Sequence, residues 1–199
     1  MRRFLAGLIL LALATTAVVV VTGISLVPPG IWIGPCLYDR TSALSYHPRV
    51  SSMGQLRFTA GALNGELCYG RPAARGRAIY GGLVPYGQVW RLGANEPTRL
   101  YLDRAASVGG ITLPAGRYSL YVRPDSTAWT LFVTRSVLHW GNDISEAVRA
   151  REVGHADLPV TGLDHPVELF TVTSSSSADT TSLSFDWAST RFTIPIVPL

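Results

Sequence analysis

The sequence predicts an all-β domain, an antiparallel β-sandwich with a partly open barrel as the alternative, carrying one short helix and preceded by an N-terminal transmembrane helix. Three observations predict it. Beyond residue 30 the apolar residues recur in short or alternating stretches broken by Gly, Pro, Asn and Asp. Only one stretch of that body has a helical period. The first thirty residues, by contrast, are almost continuously apolar.

Arg2 and Arg3 are followed by Phe4 to Val27, 24 residues without a charge, 18 of them apolar. As a helix this run measures about 36 Å, enough to cross a hydrocarbon core of about 30 Å. A removable signal peptide has a shorter apolar run, about 7 to 15 residues, with a small-residue cleavage site just after it. Here the run continues to Leu26-Val27 and Pro28-Pro29-Gly30. Residues 1–30 are therefore expected to stay as a membrane anchor through 4–27, secretion after cleavage being the alternative. The two arginines keep the N-terminus cytoplasmic, which puts the rest of the chain outside the cell membrane. Residues 31–51 read as a linker and 52–199 as the extracytoplasmic β domain. Cys36 and Cys68 then meet an oxidising compartment, where a bridge between them would contribute about 3 to 4 kcal/mol in the chain-entropy model. Two buried free thiols are the other reading.

Within the body the candidate strands are 55–59, 66–69, 89–92, 99–103, 117–123, 128–134, 167–172, 183–187 and 191–196. Tyr118 to Val122 and Trp129 to Val133 alternate cleanly and are joined by Pro124-Asp125-Ser126-Thr127, which reads as a hairpin turn. Leu113-Pro114-Ala115-Gly116 reads as another tight turn. Asn142 to Glu152 reads as the one helix, with Asp143 as N-cap and Glu146 three residues on. Residues 173–181, nearly all Ser and Thr, offer no apolar surface to bury and are expected to form a mobile outer loop.

The chain holds 17 basic and 13 acidic residues; without Arg2 and Arg3 the body keeps 15 and 13, a surplus of two. Nucleic acid is not implied as a partner. Every basic residue is Arg, which removes Schiff-base chemistry, the phosphate-loop lysine and Ser-Lys nucleophile pairs. No cofactor-binding pattern occurs.

The densest stretch runs from Cys68 to Thr98, rich in Gly, Arg and aromatic residues. Its residues Tyr69-Gly70-Arg71-Pro72, Gly76-Arg77, Leu83-Val84-Pro85-Tyr86-Gly87, Val89-Trp90-Arg91 and Gly93-Ala94-Asn95-Glu96 with Thr98 resemble an uncharacterised bacterial family, domain-of-unknown-function family 2911. The resemblance continues through Leu113 to Tyr121, Trp129-Thr130, Trp140-Gly141, Trp187 and Ile194-Pro195-Ile196. Leu92, where the family usually has Ser or Thr, and Pro97, where it has Ala, depart from the pattern. So does Thr134-Arg135, close to where an Asn usually follows. The resemblance implies an exported β domain and no assigned activity.

Arg71, Arg77 and Arg91 offer forked donors, Tyr69, Tyr86 and Trp90 offer flat faces, and Asn95 with Glu96 offers both donor and acceptor. Such a set can grip a sugar or a carboxylate, or it can lock loops together through Arg–carboxylate pairing. For catalysis, the Gly-x-Ser-x-Gly, His-Glu-x-x-His and Cys-x-x-Cys patterns are all absent. Glu96 is the weak catalytic candidate, with Glu66 and Asp186 as possible second carboxylates. His139, His155 and His165, near Asp143, Asp157 and Asp164, are weak metal candidates whose spacing matches no ligand motif. The expectation is a membrane-tethered domain binding a polar small molecule, glycan or envelope partner through the Arg71 to Glu96 region. An envelope hydrolase centred on Glu96 and a purely structural interaction module are the alternatives.

Overall fold

The computed structural model of the chain describes Cys36 and residues 50–139, 141 and 143–199. The expected span over 4–27 and the linker up to residue 49, Cys36 excepted, lie outside the described residues, as do Trp140 and Asn142. No helix among the described residues is long and apolar enough to cross a membrane.

β1 (Ser52–Ala60) and β2 (Leu63–Arg71) form a hairpin that turns at Gly61, whose φ of +53° suits a residue without a Cβ. Their register lays each aromatic ring over a glycine: Phe58 faces Gly65 and Tyr69 faces Gly54. A Cβ at either glycine would collide with the ring, so the glycines give the aromatic side chains their room. β3 (Thr98–Leu102), β6 (Gly116–Arg123) and β7 (Ala128–Thr134) continue the sheet. Their alternation sends Leu100, Leu120 and Leu131 to one face and Arg99, Ser119 and Thr130 to the other.

β8 (Glu152–Ser177) pairs with β7 through Pro159 and with β9 (Thr180–Pro198) from Val160 onward. Proline has no N–H to give to a ladder, and Pro159 stands where β8 changes neighbours. Register shifts between Gly162 and Val167 and between Val167 and Thr171 interrupt the β8–β9 pairing, the kind of bulge that bends a strand. The end of β9 then pairs with β4 (Ala106–Val108), itself hairpinned to β5 (Ile111–Leu113). The result is one antiparallel ladder of nine strands in the order β1-β2-β3-β6-β7-β8-β9-β4-β5.

The two parts of this ladder share one apolar core. Tyr69 on β2 meets Phe170 on β8 edge-on at 5.8 Å, and Trp129 on β7 stacks with Phe192 on β9 at 5.0 Å. The Val172 N–H donates to the Tyr69 hydroxyl at 3.0 Å, tying β8 across to β2. Burying each of these large rings contributes about 1.5 to 3 kcal/mol.

The all-β antiparallel expectation holds, with one continuous ladder where two sheets were expected. Four local readings are corrected. Residues 89–92 are loop, touching the sheet only at the Trp90–Val122 bridge, because the backbone turns through a positive φ at Leu92. The helix α1 is only Glu146–Arg149, with Ser145 rather than Asp143 at its N-cap position, because the chain enters β8 at Glu152. Residues 183–187 and 191–196 belong to the single strand β9. The Ser/Thr-rich stretch is strand up to Ser177 and again from Thr180, registered from Thr173 opposite Ser184 to Ser177 opposite Thr180. Cross-strand backbone bonds need no apolar side chain, which is why composition misled. Amide hydrogen exchange followed by NMR will show slowed exchange at alternate residues of 173–176; uniform fast exchange there would contradict the extended hairpin.

Candidate functional site

The loop between β2 and β3, residues 72–97, is held at both ends by backbone. Phe170 N–H donates to Pro72 O at 2.9 Å and Ala74 N–H donates to Glu168 O at 2.8 Å, which hangs the start of the loop on β8. Further on, Trp90 exchanges both backbone bonds with Val122, at 2.7 and 2.8 Å, and Gly87 N–H donates to Pro124 O at 2.9 Å. The last turn is crowded. A Cβ on Gly70 would collide with the Ala94 carbonyl, and one on Gly141 with the Asn95 carbonyl and the Arg91 side chain. Leu92 and Asn95 carry positive φ values of 54° and 63°, and Thr98 Oγ1 donates to the Leu92 carbonyl at 2.6 Å to hold that turn.

The sequence-predicted grip is divided among separate places. Arg77 donates from Nε and Nη2 to the carbonyls of Ala74 and Ala73, at 2.9 and 2.7 Å, and so closes its own loop. Arg71 reaches Phe170 O and Thr171 Oγ1 across the core, both at 3.4 Å. Asn95 Nδ2 donates to Ser51 O at 3.3 Å. Arg91 lies beside Glu96 and Gly141, and its buried Nε finds no acceptor among the described residues. Burial pushes the Arg91 pKa below the usual arginine value while Glu96 opposes the shift. These contacts brace the loop.

Trp90 points the other way from Arg91, into an aromatic cluster that sequence reasoning did not assemble. Its ring stacks on Trp187 at 5.8 Å and meets Trp129 and Phe170 edge-on at 6.3 and 5.6 Å. Tyr80 completes the cluster, with its ring centroid 4.8 Å from Trp129 and 6.2 Å from both Trp90 and Trp187. The indole N–H groups of Trp129 and Trp187 donate to Asp125 O and Glu168 O. The Tyr80 hydroxyl is buried with no partner among the described residues, and burial, with Tyr86 and Asp186 nearby, pushes its pKa well above the ordinary tyrosine value. The same loop exposes Leu83, Tyr86 and Val89, at 48%, 47% and 37%, with Tyr86 close to Tyr80. The pairs Trp90–Trp187 and Tyr80–Trp129 join residues far apart in the chain, so only an aromatic count pointed to them.

Each candidate carboxylate faces a guanidinium. Asp186 accepts from Arg191 Nε and Nη2, both at 2.7 Å, Glu66 lies 3.4 Å from Arg57 Nε, and Glu96 acts electrostatically on Arg91. The weak metal candidates also separate. His155 packs against Phe132 at 5.8 Å, His165 is exposed on β8, and His139 stands near Asp143 and Arg99. Among the described residues, no grouping of three metal-ligating side chains contains any of them. Cys36 and Cys68 are joined in a disulfide with Cα atoms 5.4 Å apart.

The fold and loop define an all-β domain whose longest inter-strand loop is braced by arginine and laid over an aromatic base. The family model described as "Protein of unknown function (DUF2911)" matches residues 51–196, and the chain belongs to that family. No curated protein matches the chain, and no solved structure does.

Gly70→Ala is expected to destabilise the body by about 3 kcal/mol, read as a lowered denaturant midpoint, because its Cβ must displace backbone. Burial holds the His139 imidazole below its ordinary value of 6.5, Arg99 adding to this while a backbone hydrogen bond at Ser136 and the charge of Asp143 oppose it. The unfolded chain therefore binds this proton first. The contribution to stability is complete above about pH 6.5 and is lost as pH falls through the lower folded value. Denaturant midpoints measured from about pH 7.5 down to about pH 5.5 should fall more steeply for the wild type than for His139→Gln.

Proposed function

We propose that this protein is a membrane-tethered extracytoplasmic binding domain that takes a saccharide on the exposed face of its 81–90 loop. The observation that carries this reading is three exposed apolar side chains, Leu83, Tyr86 and Val89, on the one loop that also supplies Trp90 to the buried Trp90–Trp187–Tyr80 cluster. Stacked rings beneath give the surface a fixed shape, so little ordering entropy is lost when a flat apolar sugar face settles on it. The patch is small. A stable protein partner covers about 800 Å² on each side, whereas three side chains suit one or two sugar rings. Gln88 is exposed on the same loop and supplies an amide for hydroxyl groups. The charge-free apolar run over 4–27 behind Arg2 and Arg3, together with the disulfide, supports placing the body outside the cytoplasm.

The hydrolase alternative has less support. Two carboxyls facing one another are needed to run the glycosidase reaction, and Glu66, Glu96 and Asp186 each have an arginine beside them instead.

The test is a tryptophan-fluorescence titration of the full chain with neutral and N-acetylated oligosaccharides, comparing wild type with Tyr86→Ala. Tyr86 lies on the surface, so this variant leaves the fold intact. A saturable wild-type response weakened at least about tenfold in Tyr86→Ala, about 1.4 kcal/mol, is expected. No saturable response to any of the sugars, or equal affinities in both proteins, would overturn the reading.

A further inference from the structure

On the opposite side of β2 from the aromatic core, the disulfide lies against a carboxylate with an unusual setting. Glu66 has no exposed surface, 0%. Its Oε1 accepts from Gln55 Nε2 at 2.6 Å. Its Oε2 accepts no hydrogen bond from the described residues and has only the Arg57 Nε at 3.4 Å. The two sulfurs and a Glu66 carboxylate oxygen lie within 4.8 Å of one another. A disulfide carries no charge and donates nothing, so it cannot be what a buried carboxylate oxygen is held for. Two thiolates in the same place are different.

We infer that Cys36, Cys68 and Glu66 form a binding site for a thiophilic divalent cation, zinc, once the disulfide between the two cysteines is reduced. Two thiolates and one carboxylate are a zinc donor set, soft enough to exclude calcium and magnesium. Tetrahedral zinc with Zn–S bonds of about 2.3 Å and Zn–O bonds of about 2.0 to 2.2 Å places its ligand atoms about 3.5 to 3.8 Å apart. The present spacing, within 4.8 Å, comes to that by side-chain rotation once the sulfurs part. Charge also balances. The three anionic ligands exceed the zinc charge by one, and Arg57 supplies the remainder. Gln55 orients the carboxylate from behind through Oε1, the part that outer hydrogen bonds play around metal ligands. The Arg57 side chain is 69% exposed, so solvent reaches the edge of the cluster along it.

The chemistry closes without an unnamed reactant. A dithiol reductant gives two electrons and two protons to the S–S bond, forms its own internal disulfide, and leaves two cysteine thiols. Zinc then binds the thiolates and two protons pass to solvent. While the disulfide is intact, neither sulfur is a thiolate ligand, so oxidation closes the site and reduction opens it.

The experiment uses the full chain in detergent micelles, oxidised or reduced with a phosphine, which does not itself compete as a dithiol. The phosphine takes oxygen from water to become its oxide, and the water protons make the two thiols. Zinc is titrated against a chromophoric chelator, and cobalt(II) is used in parallel for its thiolate charge-transfer absorption. The expected result is one zinc per reduced chain, about two protons released per zinc, a cobalt–thiolate band, and none of these in the oxidised chain. Glu66→Gln should keep the thiolate band and weaken zinc binding about tenfold or more. Circular dichroism follows the fold throughout. If reduction alone unfolds the body, restoration by equimolar zinc supports the site, and failure of zinc to restore it overturns the inference. Equal zinc uptake by oxidised and reduced chains, or equal affinity in Glu66→Gln, overturns it as well.

Discussion

An antiparallel ladder of nine strands has an apolar face too wide to leave in water, and this chain covers it by having β8 change neighbours between Pro159 and Val160. The rest of the structure follows from that change. With β7 on one side up to Pro159 and β9 from Val160, β8 belongs to both parts of the ladder, and its bulges let the second part face the first. Tyr69 then meets Phe170, and Trp129 meets Phe192, so the apolar faces bury one another.

The same change of neighbour creates the place where the long loop sits. Carbonyl and amide groups of β8 around Glu168 to Phe170 receive the first residues of the loop, and Val122 receives Trp90. Between these two attachments the chain closes on itself through Arg77, and beyond Trp90 it is held by Thr98 and by the tight packing of Gly70 against Ala94. An unsatisfied buried carbonyl costs about 1 to 3 kcal/mol, which explains why the Arg77 guanidinium is occupied by the Ala73 and Ala74 carbonyls before any ligand arrives.

The outer face of the central strands obeys a different rule. Glu66, Arg99, Ser119 and Thr134 are buried there, and polar groups out of water need partners. Residues 135–151 and the start of β8 supply several: Arg99 Nε donates to Val137 O at 2.7 Å, Thr134 Oγ1 donates to Val148 O at 3.0 Å, and the Tyr121 hydroxyl donates to Glu152. This explains why so much of β2, β6 and β7 is buried on both faces although their sequences alternate as though one face were wet.

The sequence by itself determined the class, the antiparallel hairpins and the importance of the Cys68 to Thr98 stretch. Alternation at Tyr118 to Val122 and Trp129 to Val133, and Pro-Asp at their turn, are local properties that the backbone reads directly. The Gly and Arg residues of the loop were legible as unusual, but their work was not. Arg71, Arg77, Trp90, Arg91 and Glu96 are close in sequence, and a binding reading placed them together; in the fold Arg91 stays beside Glu96, while Arg71, Arg77 and Trp90 reach separate partners, some about a hundred residues away. Only tertiary structure decided this, because a side chain's direction depends on the turn it leaves, here set by the positive φ at Leu92 and Asn95. It likewise decided that Ser-rich residues pair as strand and that Glu66 faces the cysteines, since cross-strand register is fixed by what packs on the far face of the sheet.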